Sequence, residues 1–211
     1  MKKFLIKKVI NKYLRKKKFP GSKQYWEQRY KEGGNSGDGS YNRKAKFKAD
    51  ILNDFIVENN INSVIEFGCG DGNQLLYAKY PEYIGLDVSV TAISMCIKKF
   101  TDDTTKSFYL YDQFAFKDNH NLFRSELTIS LDVIYHLVED AVFDKYMQHL
   151  FDSAVKYVII FASDNDSAVR YHVRWRQFTK WIKTNRPDWK MIKKTENEEF
   201  ENDFYFFEKM N

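Results

Sequence analysis

The stretch SVIEFGCGDGNQLL, residues 63–76, constrains the fold of this 211-residue chain more than any other segment. An apolar run at 64–67 enters three glycines, Gly68, Gly70 and Gly72, that alternate with other residues. Bare backbone directly after a strand lets a ligand lie against the main chain. The spacing of these glycines is not the G-x-G-x-x-G of a dinucleotide fold, because the third glycine arrives one residue early and Asn73 stands in its place. A nicotinamide cofactor is therefore disfavoured. A helix expected at 73–79 would point its N-terminus at the same spot, which suits the carboxylate of an amino-acid ligand.

The neighbouring segments alternate in period. Strands are predicted at 63–67, 83–87, 107–111, 127–132 and 157–162, and helices at 73–79, 90–100, 117–124 and 139–154. Alternation of this kind predicts a parallel sheet with helices on both faces. Upstream, KFKADILNDFIVENN has a helical period that ends at Asn59 and Asn60. Downstream, DSAVRYHVRWRQFTKWIKTNRP reads as one long helix closed by Pro187, followed by two strand-like segments that form a terminal hairpin. Between the aromatic helix of Tyr25, Trp26 and Tyr30 and the body lies GGNSGDGSY, residues 33–41, read as a flexible loop.

Composition excludes several classes. The longest clean apolar run, YVIIFA, is far short of the roughly 20 residues of a membrane-spanning helix. Two cysteines make no disulfide framework and suit a reducing cytosol. The net charge of +5 is unevenly placed: residues 1–18 hold nine Lys or Arg and no acid, and the remainder holds 25 basic against 29 acidic residues. A mildly acidic body argues against a nucleic-acid substrate. The arm has an apolar stripe at 5, 6, 9, 10, 13 and 14. It is read either as a helix docked on the body or as a basic amphipathic helix resting on anionic lipid at the inner face of the membrane. No ligand cluster suggests a metal.

Each of the first four strands carries an acid at its C-terminal end: Glu66, Asp87, Asp112 and Asp132. Such a crevice repels phosphate and holds a cation, and an acid at the end of the second strand suits the two hydroxyls of a ribose. The cationic nucleoside that fits is S-adenosylmethionine. In order and spacing, VIEFGCGDG, YIGLDVS, FYLYDQF and LTISLDVIYHL resemble the successive motifs of class I S-adenosylmethionine-dependent methyltransferases. The resemblance implies an α/β, Rossmann-like seven-stranded sheet of order 3-2-1-4-5-7-6 with strand seven antiparallel. It also implies a methyltransferase domain at 45–211 behind an arm and glycine-rich covering loop at 1–44.

By that resemblance Glu66, Gly68 and Gly70 line the methionine part of the cofactor. Asp87 holds the ribose, with Val88 beside the adenine and Asp112 and Gln113 at its edge. Ser130 and Asp132 face the methionine amine or the acceptor. YWEQRY, SGDGSY, IYHLVED and HVRWRQF further resemble short methyltransferases encoded among genes for bacterial capsules and other surface polysaccharides. There Tyr25, Trp26 and Arg29 would cover the cofactor. A hydroxyl nucleophile profits from a histidine base. His136 and His172 are the candidates, while His120 and His149 are read as surface residues. Arg170, Arg174 and Arg176 are read as either an anion site or a solvated helix face.

The expected acceptor is a small molecule or glycan precursor, methylated on oxygen. Alternatives are N-methylation of an amine or amino sugar, or a non-catalytic cofactor-binding or membrane-associated protein. A base-methylating enzyme is disfavoured because SLDVIY stands where many such enzymes carry an NPPY-type tetrapeptide.

Overall fold

The computed structural model describes residues 19–167, 171–196 and 200–210. The reading of residues 1–18 as an amphipathic helix, and that of Arg170, lie outside the described residues.

Seven strands, β1 (Ser63–Phe67), β2 (Glu82–Asp87), β3 (Lys106–Leu110), β4 (Ser125–Leu131), β5 (Ala154–Ala162), β6 (Trp189–Thr195) and β7 (Asp203–Lys209), build one sheet. Its order is β3-β2-β1-β4-β5-β7-β6. The first five strands are parallel, and β7 runs antiparallel to both β5 and β6. This is the α/β topology that the motifs predict. The chain leaves β1 toward β3 on one side and returns to β4 on the other, so a crevice opens above the C-terminal ends of β1 and β4.

Period-2 alternation assigns side chains to two faces. Val64, Ile159, Phe161, Phe204 and Phe206 pack with Leu52, Phe55 and Ile56 of α2 (Asn42–Glu58) and with Ile93 and Cys96 of α3 (Val90–Lys99). Ile65, Phe67, Val158, Ile160, Tyr205 and Phe207 pack on the other face. Their partners there include Phe143, Met147 and Leu150 of α4 (Asp140–Asp152) and Phe178 and Ile182 of α5 (Phe178–Asn185). Each fully buried Leu, Ile or Phe contributes about 1.5–3 kcal/mol, so this double core fixes the sheet rigidly beneath the crevice. The helix α2 ends where predicted, with Asn60 in the left-handed region at φ 53°. One more helix, α1 (Ser22–Lys31), lies over the crevice.

Three predicted helices are corrected. Residues 73–79 form only a 3-10 turn, Gln74–Tyr77, too short to present a helix N-terminus to a ligand. Residues 117–124 form turns, in which Asp118 accepts the backbone N–H groups of Leu122 and Phe123. The long helix before Pro187 is real only as α5. Ahead of it the backbone N–H of Arg174 bonds the Tyr135 carbonyl at 2.7 Å, and that of Gln177 bonds the Asp166 carboxylate. Donors committed to a distant carbonyl and to a side-chain carboxylate cannot close a helical ladder. Among the described residues no helix is long and apolar enough to cross a membrane.

Candidate active site

The glycine turn is held by the Leu86 carbonyl, which accepts from Gly68 N at 2.7 Å and from Cys69 N at 3.0 Å. Gly68 and Gly70 take φ values of 86° and 57°, in the region where side chains strain the backbone. A Cβ on Gly70 would also lie 2.9 Å from the Tyr30 hydroxyl, so the turn has no room for one. Asp87 ends β2 beside this turn. Its Oδ2 accepts Gly70 N–H and its Oδ1 accepts Ser89 N–H, each at 2.9 Å. A carboxylate has about four acceptor positions, so Asp87 keeps capacity toward the cleft that it lines. Burial pushes its carboxyl up to about 6.

The cleft holds about 750 Å³ of atom-free space, mouth included. Trp26, Tyr30, Val88, Gln113, Asp132, His136, Leu137 and Val142 are among the residues that line it. Beneath the turn lies Glu66, buried and 2.6 Å from the Tyr83 hydroxyl that donates to it. Burial raises its carboxyl to about 7, and the nearby charge of Lys48 partly offsets the rise.

Lys48 was not among the sequence candidates. It is fully buried on α2 and pairs with Asp132 Oδ2 at 2.7 Å. Asp132 Oδ1 accepts from Tyr135 O–H at 2.9 Å and from Asn202 Nδ2 at 2.6 Å. With φ at 61°, Asp132 is a non-glycine residue in the left-handed region, held there by these partners. The signal for Lys48 was a lysine four residues before Leu52 on an otherwise apolar helix face.

The helix α1 roofs the cleft through polar ties to the segments that follow β2, β3 and β4. Glu27 accepts from Ser89 O–H at 2.6 Å and from Thr91 Oγ1 at 3.0 Å, and chiefly the Ser89 bond holds its carboxyl down at about 2. Ser22 N and Oγ donate to Glu139 at 3.0 and 2.6 Å, and Lys23 pairs with Asp112 at 2.7 Å. The loop at 33–41 is anchored too. Ser36 N donates to Asp71 Oδ2, and Asp71 N donates back to Ser36 Oγ, both at 3.0 Å. Asp71, the acid inside the glycine turn, is another residue that sequence reasoning passed over.

His136 follows β4 and turns into the cleft. Its Nδ1 lies 3.1 Å from the His172 carbonyl oxygen, an acceptor, so Nδ1 carries the proton and Nε2 keeps its lone pair. Burial lowers its titration to about 4, and the ring is neutral at physiological pH. His172 stacks behind it at 5.5 Å, and Tyr25 stacks on His172 at 4.7 Å.

Of the sequence candidates, the structure gathers Trp26, Gly68, Gly70, Asp87, Val88, Gln113, Asp132 and His136 around one cleft. Glu66 lies below it and Ser130 is buried, with the Tyr146 hydroxyl bridging Ser130 Oγ at 2.6 Å and the Phe67 carbonyl at 2.9 Å. Asp112 is not among the residues lining the cleft; it pairs with Lys23 and accepts Phe114 N–H. Tyr25 and His172 back His136, and Arg29 lies over the Trp26 ring and donates to the Asn35 carbonyl. Arg174 and Arg176 pair with Asp140 at the start of α4. His149 is corrected from a surface residue: it is half-buried, 2.8 Å from the Tyr111 hydroxyl.

No protein-family profile and no curated protein sequence matches the chain. Solved structures do. The N-methyltransferase NodS from Bradyrhizobium japonicum WM9, in complex with S-adenosyl-l-homocysteine, is similar at 14% identity and a TM-score of 0.69, over 91% of this chain and 100% of that one. Magnesium protoporphyrin IX methyltransferase (ChlM) from Synechocystis PCC 6803 with bound SAH is similar at 15% identity and a TM-score of 0.63, over 89% and 97%. A methyltransferase dependent on S-adenosylmethionine from Clostridium acetobutylicum ATCC 824 is similar at 13% identity and 0.61, over 81% and 93%. The chain has the fold of class I S-adenosylmethionine-dependent methyltransferases.

Proposed function

We propose that the protein is an S-adenosylmethionine-dependent methyltransferase that methylates a hydroxyl group of a small molecule or glycan precursor. The observation that carries this reading is Asp87, fixed by Gly70 and Ser89 with acceptor capacity left over, beside a glycine turn too tight for any Cβ. That set fits a ribose and an adjoining backbone-hugging chain. Val88, Leu137 and Val142 offer apolar walls for an adenine, and the Gln113 amide offers it a hydrogen-bonding edge. Trp26 and Tyr30 turn aromatic surface to the cleft, which suits a sulfonium cation. Bound, the cofactor would supply an electrophilic methyl group.

The helix α1 covers the cleft, which Asp132 and His136 also line. The Nε2 lone pair of His136 is available to accept the proton of an acceptor hydroxyl, which is what favours oxygen over nitrogen as the methylated atom. The solved structures that share this fold include an N-methyltransferase and a porphyrin methyltransferase, so the fold alone selects no acceptor. A role in capsular or surface-polysaccharide synthesis is the finer reading, supported by the sequence resemblance alone.

Calorimetry with S-adenosylmethionine and its demethylated product tests the assignment. Both should bind, and Asp87→Ala should weaken binding by about 10²-fold or more, since each charge-assisted bond contributes roughly 1.5–3 kcal/mol. The same change at Asp112 should cost less. No heat from either ligand, with a clear isotherm for NAD, overturns the reading. Residues 1–18 are proposed to hold the protein against anionic lipid, each cation adding about 1 kcal/mol near the surface. Deleting them should abolish sedimentation with anionic vesicles and leave turnover of a dissolved acceptor unchanged; full-length protein that never sediments at low salt removes the lipid reading.

A further inference from the structure

A second cavity of about 900 Å³, mouth included, opens on the other side of Asp132, above the ends of β4 and β5 and the start of β7. Asp132 lines both spaces, so the two meet at its carboxylate, to which the Tyr135 hydroxyl donates. Nothing in the nucleoside reading uses this cavity. Resting on the methyltransferase assignment, we propose that it is the acceptor subsite and takes a neutral ring bearing hydroxyl groups.

The chemistry of the lining selects that class. Trp175, Phe200 and Tyr135 supply ring surfaces, against which the apolar face of a flat or puckered ring packs. Asp132, Glu201, Asn202 and Lys44 bring acceptors and donors to the same space. Their charges balance: two carboxylates face Lys44, which lies 5.2 Å over the Phe200 ring, and Lys48, which pairs with Asp132 from behind. A balanced site gives no net attraction to a phosphate or a polyamine and desolvates a neutral polar ring at least cost. Asp132 and Asn202 are already bonded to each other, so the polar wall is set before a ligand arrives. Two sources share this chemistry, a sugar ring and a hydroxylated aromatic ring.

Saturation-transfer NMR on protein saturated with S-adenosylhomocysteine tests the proposal. The probes are methyl glucoside and methyl N-acetylglucosaminide for the sugar arm, catechol for the aromatic arm, and spermidine and inorganic phosphate as charged controls. At least one ring probe should receive saturation while both controls do not. Trp175→Ala and Phe200→Ala should each reduce that signal about fivefold. The rim variant Glu201→Gln, at an exposed position, should reduce it without risk to folding. Calorimetry of S-adenosylhomocysteine on every variant reports the integrity of the fold and of the cofactor site. Cofactor binding with no ring-probe signal overturns the proposal, as does a signal unchanged in all three variants or a preference for spermidine or phosphate. Loss of cofactor binding in the wild-type protein overturns the methyltransferase assignment itself, and the subsite falls with it.

Discussion

The floor of the cleft, at the ends of β1, β2 and β4, buries its charged groups among apolar side chains, whereas the roof, α1, is fastened by hydrogen bonds near the surface. Glu66, Asp87 and Lys48 sit below 10% exposure, and two of these groups have titrations displaced upward by burial. Glu27 in the roof is displaced the other way, because its hydrogen bond from Ser89, aided by Lys31 and Thr91, stabilises its charge by more than burial opposes it. A floor built this way is costly to charge and rigid. A roof built this way is inexpensive to lift, since surface polar ties contribute about 1 kcal/mol or less apiece.

The seam between roof and floor is His136, edged by Trp26 of α1 at 4.9 Å and bonded to the loop before α5. Breaking it should have the largest effect. On a hydroxyl acceptor, His136→Ala should lower turnover by roughly 10²–10⁴-fold with cofactor affinity near wild type. In the wild type the rate should stay level from pH 8 to about 5 and fall near pH 4, where the ring protonates. Full activity of the variant on a confirmed hydroxyl acceptor would exclude histidine as the base.

A smaller effect sharpens the account of the floor. The folded-state titration of Glu66, about 7, lies above its unfolded value of 4.5. The native protein therefore binds the extra proton between those values, and its contribution to stability is present below pH 4.5 and lost as pH rises through 7. Glu66→Gln carries no charge to bury. Its stability relative to wild type should be near parity at pH 4.5–5 and higher by about 3 kcal/mol at pH 8. Taking the difference cancels the histidines, whose lowered titrations act with the opposite sign. A difference that stays flat from pH 5 to 8 would show that Glu66 is not the buried acid described here.

The smallest effect belongs to the roof. Glu27→Gln weakens the ties to Ser89 and Thr91 and should cost about 1 kcal/mol. The cost should appear mainly as dissociation of S-adenosylhomocysteine several-fold faster in stopped-flow, with turnover chemistry intact. An unchanged release rate would mean that ligand exchange does not pass beneath α1.

Much of the floor was legible in the sequence because it obeys local rules. The strand ending at Phe67, the glycine spacing and the acid at Asp87 are all read between residues 63 and 87. Lys48 was not legible, because its partner Asp132 lies 84 positions away and only the fold brings them together. The segment at 166–177 was misread for a related reason. Its aromatic and basic residues recur at helical spacing, yet its backbone donors are taken by Tyr135 and Asp166, a commitment that no local pattern records. The roof was half legible: the aromatic helix is visible, but the ties of Glu27, Ser22 and Lys23 are contacts of long sequence separation.

The reciprocal bonds between Ser36 and Asp71 have a mechanical consequence. Two loops separated by 35 positions in the chain are clasped by a donor and an acceptor in each direction, with Tyr41 bonding the same carboxylate. These bonds tie the chain at 33–41, which follows α1, to the glycine turn. The other end of α1 is tied where Ser22 meets Glu139 and Lys23 meets Asp112. A helix pinned at both ends lifts from the cleft only when one of these sets of bonds gives way.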